Sequence, residues 1–278
     1  MRIEEAINLG KENLKKENIE DALLKTRLLL CYILDKPKEY LIINSKESLS
    51  REQEEFFLEN IKKLKLGYPL QHITHKQFFR NCELYVDENV LIPRPDTEVL
   101  VEEVVKLART VNASSILDLC TGSGAIGIAL SKETNAEIVA TDISKKALEI
   151  AEKNSKLNKA EVKFIQGNLF ENIPKENKFD IIVSNPPYIE TKTIETLSEE
   201  VKKEPKLALD GGIDGLYFYR EIAKQAISFL KINGYLALEI GYNQKTLVTK
   251  ILLENNFMEI STIKDFSGND RVIIAKSS

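Results

Sequence analysis

The sequence predicts an α/β protein with a mostly parallel β-sheet. From Ser114 onward, short apolar segments alternate with helical patterns, as in proteins whose parallel strands are connected by helices. Two further features support this prediction, a glycine-rich turn and the tetrapeptide Asn185-Pro186-Pro187-Tyr188 after an apolar run. Proline has no N–H to donate to a sheet, so that strand must end at Asn185. We predict strands at residues 116–119, 137–141, 162–165, 179–184, 235–240 and 271–275.

The first seventy or so residues predict helices instead of strands. One helix is expected to begin near Glu20, with Leu24, Leu28 and Cys31 on a single apolar face. A second helix is expected to begin at Ser50, with residues 57, 61 and 64 aligned, and to end before residue 67. Both patterns have the spacing of helices that bury one face.

A short hairpin and a stiff segment are predicted to follow the helices. Residues 78–86 are typical of a hairpin. Beyond it, two prolines flank Arg94 and restrict the backbone to an extended path. Asp96 or Thr97 is then expected to cap the next helix through its side-chain oxygen.

Composition limits the class of protein. A chain of 278 residues, 43% of them hydrophobic, is long enough for one large domain and a small one. Lysine and arginine total 39 and aspartate and glutamate total 43, so the net charge of −4 argues against nucleic-acid binding through overall positive charge. No apolar stretch approaches the roughly 18–20 residues of a membrane span. Three widely separated cysteines are typical of a reducing compartment, so we expect a cytoplasmic protein without membrane association.

A metal site is not predicted. His72 and His75 are three residues apart, which is a possible ligand spacing. Zinc requires three or four ligands, and the surrounding sequence supplies no convincing third one.

The Asn-Pro-Pro-Tyr segment (residues 185–188) is the strongest candidate for a catalytic site. In open α/β sheets, ligands bind at the carboxyl ends of strands, where this segment is predicted to lie. The Asn185 side chain and the Pro186 carbonyl offer two hydrogen-bond acceptors, and Pro187 restricts the direction of that carbonyl. Tyr188 adds a flat ring. This combination suits a planar NH2 group, and the alternative interpretation is a turn that only terminates a strand.

The glycine turn (residues 118–124) is the candidate cofactor site. Its glycines let the backbone approach a ligand, and the following helix offers free N–H groups at its start. Gly122, Gly124 and Gly127 loosely match the dinucleotide fingerprint, which alone is a weak signal. Asp142 ends the next strand and can accept hydrogen bonds from a ribose, or it can cap the next helix. A buried Asp118 favours a ligand with an ammonium and a sulfonium, S-adenosyl-L-methionine, over one with a pyrophosphate.

Asn168 and Leu169 follow the third predicted strand of the sheet. If a ribose lies at Asp142, an adenine would lie near these two residues. Asn168 could bind the amino group of the adenine and Leu169 could pack on its face. A turn with apolar anchors explains the same residues equally well.

Together these segments resemble the release factor glutamine methyltransferases, the PrmC/HemK family, over nearly the whole chain. The glycine turn and the Asn-Pro-Pro-Tyr segment are shared with many amino-group methyltransferases, whereas residues 94–98 and 211–216 narrow the family. One departure is Cys120, where the family often has glycine. We expect a small cysteine to be tolerated there, in a backbone conformation that is not left-handed. The similar segments are residues 92–98, 118–126, 179–189, 204–205, 211–216, 238–241 and 268–271.

The resemblance implies an architecture. It predicts a seven-stranded, mostly parallel, Rossmann-like methyltransferase sheet whose last pair is antiparallel. It also implies three parts, a helical substrate-recognition domain at residues 1–75, a hairpin linker at 76–95, and an S-adenosylmethionine-dependent methyltransferase domain at 96–278.

The resemblance also implies an activity, the transfer of a methyl group from S-adenosyl-L-methionine to a glutamine side-chain amide. The product of the cofactor would be S-adenosyl-L-homocysteine. The glutamine would be that of the Gly-Gly-Gln motif in peptide chain release factors, and we expect a monomer that binds no nucleic acid directly. The implied catalytic residues are Asn185, Pro186 and Tyr188, the substrate-binding residues are Asn185, Pro186, Pro187, Tyr188 and Arg94, and the cofactor-binding residues are Asp118, Cys120, Thr121, Gly122, Ser123, Gly124, Asp142, Asn168, Leu169 and Asn185.

Three other functions remain compatible with parts of the sequence. An amino-methyltransferase that acts on a flipped adenine or guanine base also uses an Asn-Pro-Pro-aromatic segment. The acidic composition and the lack of an evident basic recognition domain argue against it. A nicotinamide-dependent dehydrogenase would leave the Asn-Pro-Pro-Tyr segment unexplained. A catalytically silent binding module would bind the cofactor without turnover.

Overall fold

The computed structural model describes all 278 residues. They form two compact units, a helical unit of residues 1–75 and 197–203, and a sheet unit of residues 76–196 and 204–278. The elements before the large sheet are α1 (Ile3–Lys16), α2 (Ala22–Leu34), α3 (Lys38–Ile43), α4 (Arg51–Lys65), α5 (Leu70–Thr74), β1 (Gln77–Phe79), β2 (Cys82–Leu84) and α6 (Pro95–Val111). They are followed by β3 (Ser115–Leu119), α7 (Ala125–Glu133), β4 (Glu137–Asp142), α8 (Lys145–Asn158), β5 (Val162–Gln166), β6 (Phe179–Ser184), α9 (Glu199–Lys202), α10 (Tyr217–Ala226), β7 (Leu230–Glu239), α11 (Lys245–Glu254), β8 (Phe257–Lys264) and β9 (Asp270–Ser277).

The helical unit has its own apolar core. Helix α4 confirms the prediction made from its sequence, because the Ser50 side chain accepts a hydrogen bond from the Gln53 N–H at 3.1 Å. Its predicted apolar residues, Phe57, Ile61 and Leu64, are all buried in this core. The spacing of large apolar residues therefore identified the buried face of this helix correctly.

Helix α2 buries a different face from the one predicted. Leu24, expected on the buried face, is 44% exposed, whereas Thr26, Leu29 and Leu30 are fully buried. The helix is apolar nearly all round, so periodicity could not determine its orientation. A close approach to α1 decides it, since a Cβ on Gly10 would lie 2.5 Å from the Thr26 side chain.

The sheet unit confirms the predicted seven-stranded, mostly parallel sheet. Its strand order is β5-β4-β3-β6-β7-β9-β8. Strands β5, β4, β3, β6 and β7 are parallel to one another, β9 is antiparallel to β7, and β8 is antiparallel to β9. Apolar side chains alternate between two buried clusters, so both faces of the sheet are covered. The hairpin β1–β2 belongs to this unit.

The central strands of the sheet end in step with one another. Leu119 of β3 pairs with Thr141 of β4 and with Ser184 of β6, and Ser184 pairs with Leu238 of β7. The residues that follow these positions, Asp142, Cys120, Asn185 and Glu239, therefore occupy one row at the carboxyl edge of the sheet. The row crosses the boundary between β3 and β6, where the strand order reverses and ligands bind in open α/β sheets.

Two predictions about individual elements are wrong. Strand β8 is missing from the predicted set, because a register shift after Met258 and a positive φ of 48° at Glu259 disturb its alternation. Neither Asp96 nor Thr97 caps α6. That helix begins at Pro95 with Arg94 as its N-cap, because proline is favourable in the first helical position.

No helix is both long and apolar enough to cross a membrane. No group of three or more histidine, cysteine, aspartate or glutamate side chains is arranged to hold a metal ion, and the three cysteines form no disulfide.

A pair of adjacent phenylalanines tests the core of the helical unit. Phe57→Ala should lower the free energy of unfolding by about 3–5 kcal/mol, because Phe57 is fully buried. Phe56→Ala is the matched control, since Phe56 is 42% exposed and its loss should cost less than about 1 kcal/mol. Urea denaturation followed by circular dichroism measures both. Equal losses for the two variants would contradict the assigned burial of this helix.

Candidate active site

A solvent-open cavity of about 730 Å³ lies at the carboxyl edge of the sheet. Seven residues predicted to form the site line it, namely Cys120, Gly122, Asp142, Asn168, Leu169, Asn185 and Pro187. Asp118, Thr121, Ser123, Gly124, Pro186, Tyr188 and Arg94 do not contribute to its lining. Sequence reasoning missed Asn89, Val90, Leu91, Ile143, Ser144, Ala147, Gly167, Pro205, Leu207, Ala208 and Phe218. Most of these belong to loops that pack into the cavity through long-range folding, and no local pattern distinguishes them.

Asp118 holds the glycine turn together from beneath. Its Oδ2 accepts hydrogen bonds from the Thr121 hydroxyl at 2.6 Å and from the Gly127 N–H at 3.0 Å. The residue is fully buried, and its Oδ1 has no hydrogen-bond partner. Burial raises the pKa of this carboxyl to about 7, against the lowering effect of its two donors. The carboxyl thus fixes the turn and keeps one oxygen free.

Asp142 connects the end of β4 to the glycine turn. Its Oδ2 accepts a hydrogen bond from the Gly122 N–H at 2.9 Å, and its Oδ1 accepts one from the Ser144 N–H at 2.8 Å. Ser144, and not Asp142, is the N-cap of α8. A carboxylate has about four acceptor positions, so each oxygen can still accept one more hydrogen bond. Burial raises the pKa of Asp142.

Cys120 corrects an expectation about the backbone. Its φ is +59°, in the left-handed region that a non-glycine residue adopts at a cost of about 1–2 kcal/mol. The expectation that this position is not left-handed is therefore wrong. Residue 120 turns the chain away from β3 towards Gly122, so the turn requires this conformation whatever the side chain. Burial raises the pKa of the Cys120 thiol, which keeps it protonated.

Asn168 and Leu169 lie beside Asp142 in the cavity wall. The Leu169 carbonyl accepts a hydrogen bond from the Thr141 hydroxyl at 3.2 Å, so strand β4 fixes the loop that carries both residues. Leu169 is buried at the cavity edge and Asn168 is exposed. The placement provides one apolar and one polar group for a planar ligand.

Asn185 is held by a residue of helix α6. Its side-chain NH2 donates a hydrogen bond to the Thr97 hydroxyl oxygen at 3.2 Å. Thr97 is 4% exposed, so this contact is shielded from water. With the NH2 group engaged by Thr97, the side-chain oxygen of Asn185 remains as an acceptor in the cavity wall.

Tyr188 lies against a buried carboxyl group. Its hydroxyl donates to Glu239 Oε1 over a long distance of 3.5 Å. Burial and the neighbouring Glu239 both raise the pKa of the Tyr188 hydroxyl, so it stays protonated. Glu239 is only 1% exposed, and sequence reasoning gave it no role.

The backbone of the Asn-Pro-Pro-Tyr segment is braced by the loop of residues 211–215. A Cβ on Gly211 would lie 2.7 Å from the Tyr188 Cα, and one on Gly215 would clash with the Tyr188 carbonyl oxygen. Gln244 joins the two, because its NH2 donates to the Tyr188 carbonyl at 3.0 Å and to the Gly215 carbonyl at 3.2 Å. The glycines of the family-like segment therefore permit a close backbone contact.

Arg94 is paired within the sheet unit. Its guanidinium forms an ion pair with Glu204, whose other carboxylate oxygen accepts the Ile92 N–H at 2.9 Å. Glu204 is only 4% exposed. The interaction joins the segment around Arg94 to the loop that supplies Pro205 to the cavity wall.

A further residue missed by sequence reasoning is Asn154. Its NH2 donates to the carbonyls of Ser123 and Tyr85, both at 2.9 Å, and its side-chain oxygen accepts the Tyr85 N–H at 2.7 Å. Fully buried, it joins the glycine turn to the end of the hairpin. A lone asparagine on a helix gives no signal of such a role in sequence.

The cavity fits S-adenosylmethionine. A Cβ built on Gly122 would meet nothing within 4 Å, so the turn leaves open space beside its backbone. Asp142 offers acceptors for two hydroxyl groups and Leu169 offers an apolar surface. Beneath the turn, outside the lining, Asp118 keeps a buried oxygen without a partner.

Comparison with known proteins identifies the family. The family models "PrmC N-terminal domain" and "Methyltransferase small domain" match residues 5–74 and 95–213. A release factor glutamine methyltransferase of Fusobacterium nucleatum is 46% identical over 98% of this chain and 78% of the relative. One of Clostridium acetobutylicum is 39% identical over 99% of this chain and 98% of the relative. The chain belongs to the release factor glutamine methyltransferase family. The resemblance in the sequence is thus confirmed.

Solved structures show the same fold at low sequence identity. A methyltransferase from Pyrococcus furiosus has a TM-score of 0.55 and 18% identity, covering 82% of this chain and all of that one. A 16S rRNA methyltransferase of T. thermophilus, solved with AdoMet and guanosine, has a TM-score of 0.54 and 18% identity, covering 73% and 50%. This family member is an S-adenosylmethionine-dependent methyltransferase, and the cofactor predicted from its sequence is confirmed.

Gly215→Ala should disturb the site more than a matched glycine substitution elsewhere. Gly215 (φ +69°) and Gly268 (φ +84°) are both left-handed, so alanine at either costs about 1–2 kcal/mol. Only at Gly215 does the new Cβ meet a backbone atom, which adds about 1–3 kcal/mol. Urea denaturation and methyl-transfer rate measure the difference. If the two variants lose the same stability and activity, the bracing of Tyr188 is wrong.

Proposed function

We propose that this enzyme methylates the side-chain amide nitrogen of the glutamine in the Gly-Gly-Gln motif of peptide chain release factors. The relatives from Fusobacterium nucleatum and Clostridium acetobutylicum carry the name release factor glutamine methyltransferase. The observation that carries the proposal is the placement of Asn185. It lines the cofactor cavity in the same row as Cys120 and Asp142, with its NH2 group already bonded to Thr97.

The substrate nitrogen needs alignment more than it needs a base. An amide lone pair is delocalised into the carbonyl, so the nitrogen is a weak nucleophile. In the proposed reaction, the side-chain oxygen of Asn185 and the carbonyl of Pro186 accept the two amide N–H groups. These hydrogen bonds orient the lone pair towards the methyl group and favour a pyramidal nitrogen. Tyr188 packs its ring on the amide plane.

The cofactor-binding residues follow from the cavity. Asp142 accepts the ribose hydroxyls, Leu169 packs on the adenine and Asn168 binds its amino group, while the glycine turn accommodates the remainder. When bound, S-adenosylmethionine supplies an electrophilic methyl group on a sulfonium. Because the proton of the amide can leave after methyl transfer, positioning supplies most of the acceleration, for which about 7–11 kcal/mol is available.

The helical unit is proposed to recognise the release factor. It has its own core and supplies no residue to the cofactor cavity. Arg94 is proposed to shape the substrate entrance, with its ion pair to Glu204 holding the segment around it. We further propose a monomer that acts in the cytoplasm, where translation termination takes place, without direct binding to nucleic acid.

A direct assay tests the substrate. The purified enzyme should transfer labelled methyl from the cofactor to a release factor, and mass spectrometry should place it on the glutamine of Gly-Gly-Gln. The matched control is the same release factor with that glutamine changed to asparagine, which shortens the side chain by one methylene. Label incorporated into total RNA or DNA, with none in the release factor, would replace this function by base methylation.

Two substitutions should separate chemistry from cofactor binding. Asn185→Ala should lower single-turnover methylation by about 10²–10³, because one positioned polar partner of the transition state is lost. Its cofactor affinity should stay close to that of the wild type. Asp142→Ala should weaken cofactor binding measured by calorimetry, because the ribose loses its acceptor. An unchanged rate in the first variant, or an unchanged affinity in the second, would remove that residue from its proposed role.

A further inference from the structure

We propose that Glu239 is a positioning residue that fixes which atom of the Asn185 amide faces the substrate. In this proposal its carboxylate accepts the Thr97 hydroxyl, and the Thr97 oxygen in turn accepts the Asn185 NH2 group at 3.2 Å. The same carboxylate accepts the Tyr188 hydroxyl, so both ends of the Asn-Pro-Pro-Tyr segment depend on it. The inference deepens the proposed function, because it rests on Asn185 accepting the glutamine amide.

The register of the sheet places Glu239 beside Asn185. Ser184 of β6 pairs with Leu238 of β7, so the two residues that follow lie side by side at the carboxyl edge. Glu239 is 1% exposed, and its Oε2 has no hydrogen-bond partner. Burial raises the pKa of this carboxyl group, and hydrogen bonding by the Thr97 side chain lowers it. The Tyr188 hydroxyl approaches Oε1 at 3.5 Å.

Counting donors and acceptors shows why the orientation of Asn185 depends on Glu239. An ionised carboxylate only accepts hydrogen bonds, so Thr97 must give it the single hydroxyl proton. The Thr97 oxygen can then only accept from Asn185, which it does from the NH2 group at 3.2 Å. The oxygen of the Asn185 amide is consequently left for the substrate. If Glu239 were neutral it could donate, and the opposite orientation of Asn185 would become available.

The surroundings of Glu239 determine how firmly it stays ionised. Burial raises the pKa of its carboxyl to about 7, whereas Thr97 and the charge of Arg271 lower it. The charge of Asp96 on α6 raises the pKa of Glu239. Arg271 on β9 forms ion pairs with both Asp96, at 3.2 Å, and Asp265, at 3.0 Å. The Tyr188 hydroxyl faces the carboxyl group, and Tyr219 of α10 donates to the Glu239 main-chain carbonyl.

A purely structural role does not explain a carboxylate at this position. Burying a charge without full hydrogen bonding is unfavourable, and an apolar side chain would suit the end of a central strand better. Residues that break such local rules are expected at functional sites. Glu239 neighbours Asn185, Thr97 and Tyr188, the three side chains whose orientation the proposed reaction requires.

Substitutions at Thr97 test the proposed relay, the chain of hydrogen bonds from Glu239 through Thr97 to Asn185. Thr97→Val keeps the shape of the side chain and removes the hydroxyl, so single-turnover methylation of the release factor should fall by about 10- to 100-fold. This is the size of loss seen when the outer hydrogen-bond partner of a metal-binding residue is removed. Cofactor affinity measured by calorimetry should not change. Thr97→Ser restores the hydroxyl and should recover most of the rate. Thr110→Val, at an exposed threonine of the same helix, is the matched control. A wild-type rate for Thr97→Val, or an equally slow Thr97→Ser, would overturn the relay.

NMR spectroscopy can detect the relay from the side-chain signals of Asn185, without any methyl transfer. The side-chain NH2 signals of Asn185 should shift as pH falls through about 7 in the wild type, because Glu239 gains a proton there. The shift should be absent in Glu239→Gln, because the side chain of glutamine does not titrate. Asp118, whose pKa is also raised to about 7, still titrates in this variant, so the comparison separates the two carboxyl groups. The proposal would be refuted if the Asn185 signals did not change with pH in the wild type, or if they changed equally in Glu239→Gln. Failure of the wild type to methylate the release factor would refute only the proposed function.

Discussion

The in-step ending of four parallel strands is the constraint on which the rest of the site depends. Backbone hydrogen bonds align Leu119, Thr141, Ser184 and Leu238, so the next residue of each strand falls in a single row. A slip of one residue would turn each side chain to the other face of the sheet. Cofactor-binding and substrate-positioning groups thus share an edge because the ladder brings them there, although Cys120 and Glu239 are more than a hundred residues apart in the chain.

Buried polar groups then convert this edge into a rigid framework. Asp118 ties the glycine turn, Asn154 joins that turn to the hairpin, and Gln244 joins the Asn-Pro-Pro-Tyr segment to Gly215. Each accepts or donates in a shielded environment, where an unpaired partner would be costly. Asp118 and Glu239 both keep an oxygen without a partner, and burial raises the pKa of each carboxyl by disfavouring its charged form.

Most of the fold and the centre of the site could be predicted from sequence because their signals are local. Apolar runs, Ser50 as an N-cap, and two prolines after a strand each limit the backbone directly. The failures have equally local causes. Strand β8 contains a bulge that disrupts its alternation, and helix α2 is apolar on nearly every side. Cys120 adopts a left-handed conformation that its side chain gives no reason to expect.

By itself, the sequence determined the class of sheet, the strand that ends at Asn185, the cofactor and the family, because each follows from short segments with few allowed conformations. Only the tertiary structure decided the neighbours of those segments. Thr97, Glu239 and Gln244 lie far from residues 185–188 in the chain, and strand register and helix packing bring them into contact. Contacts between distant residues depend on how all the elements pack at once, and no single segment carries that information.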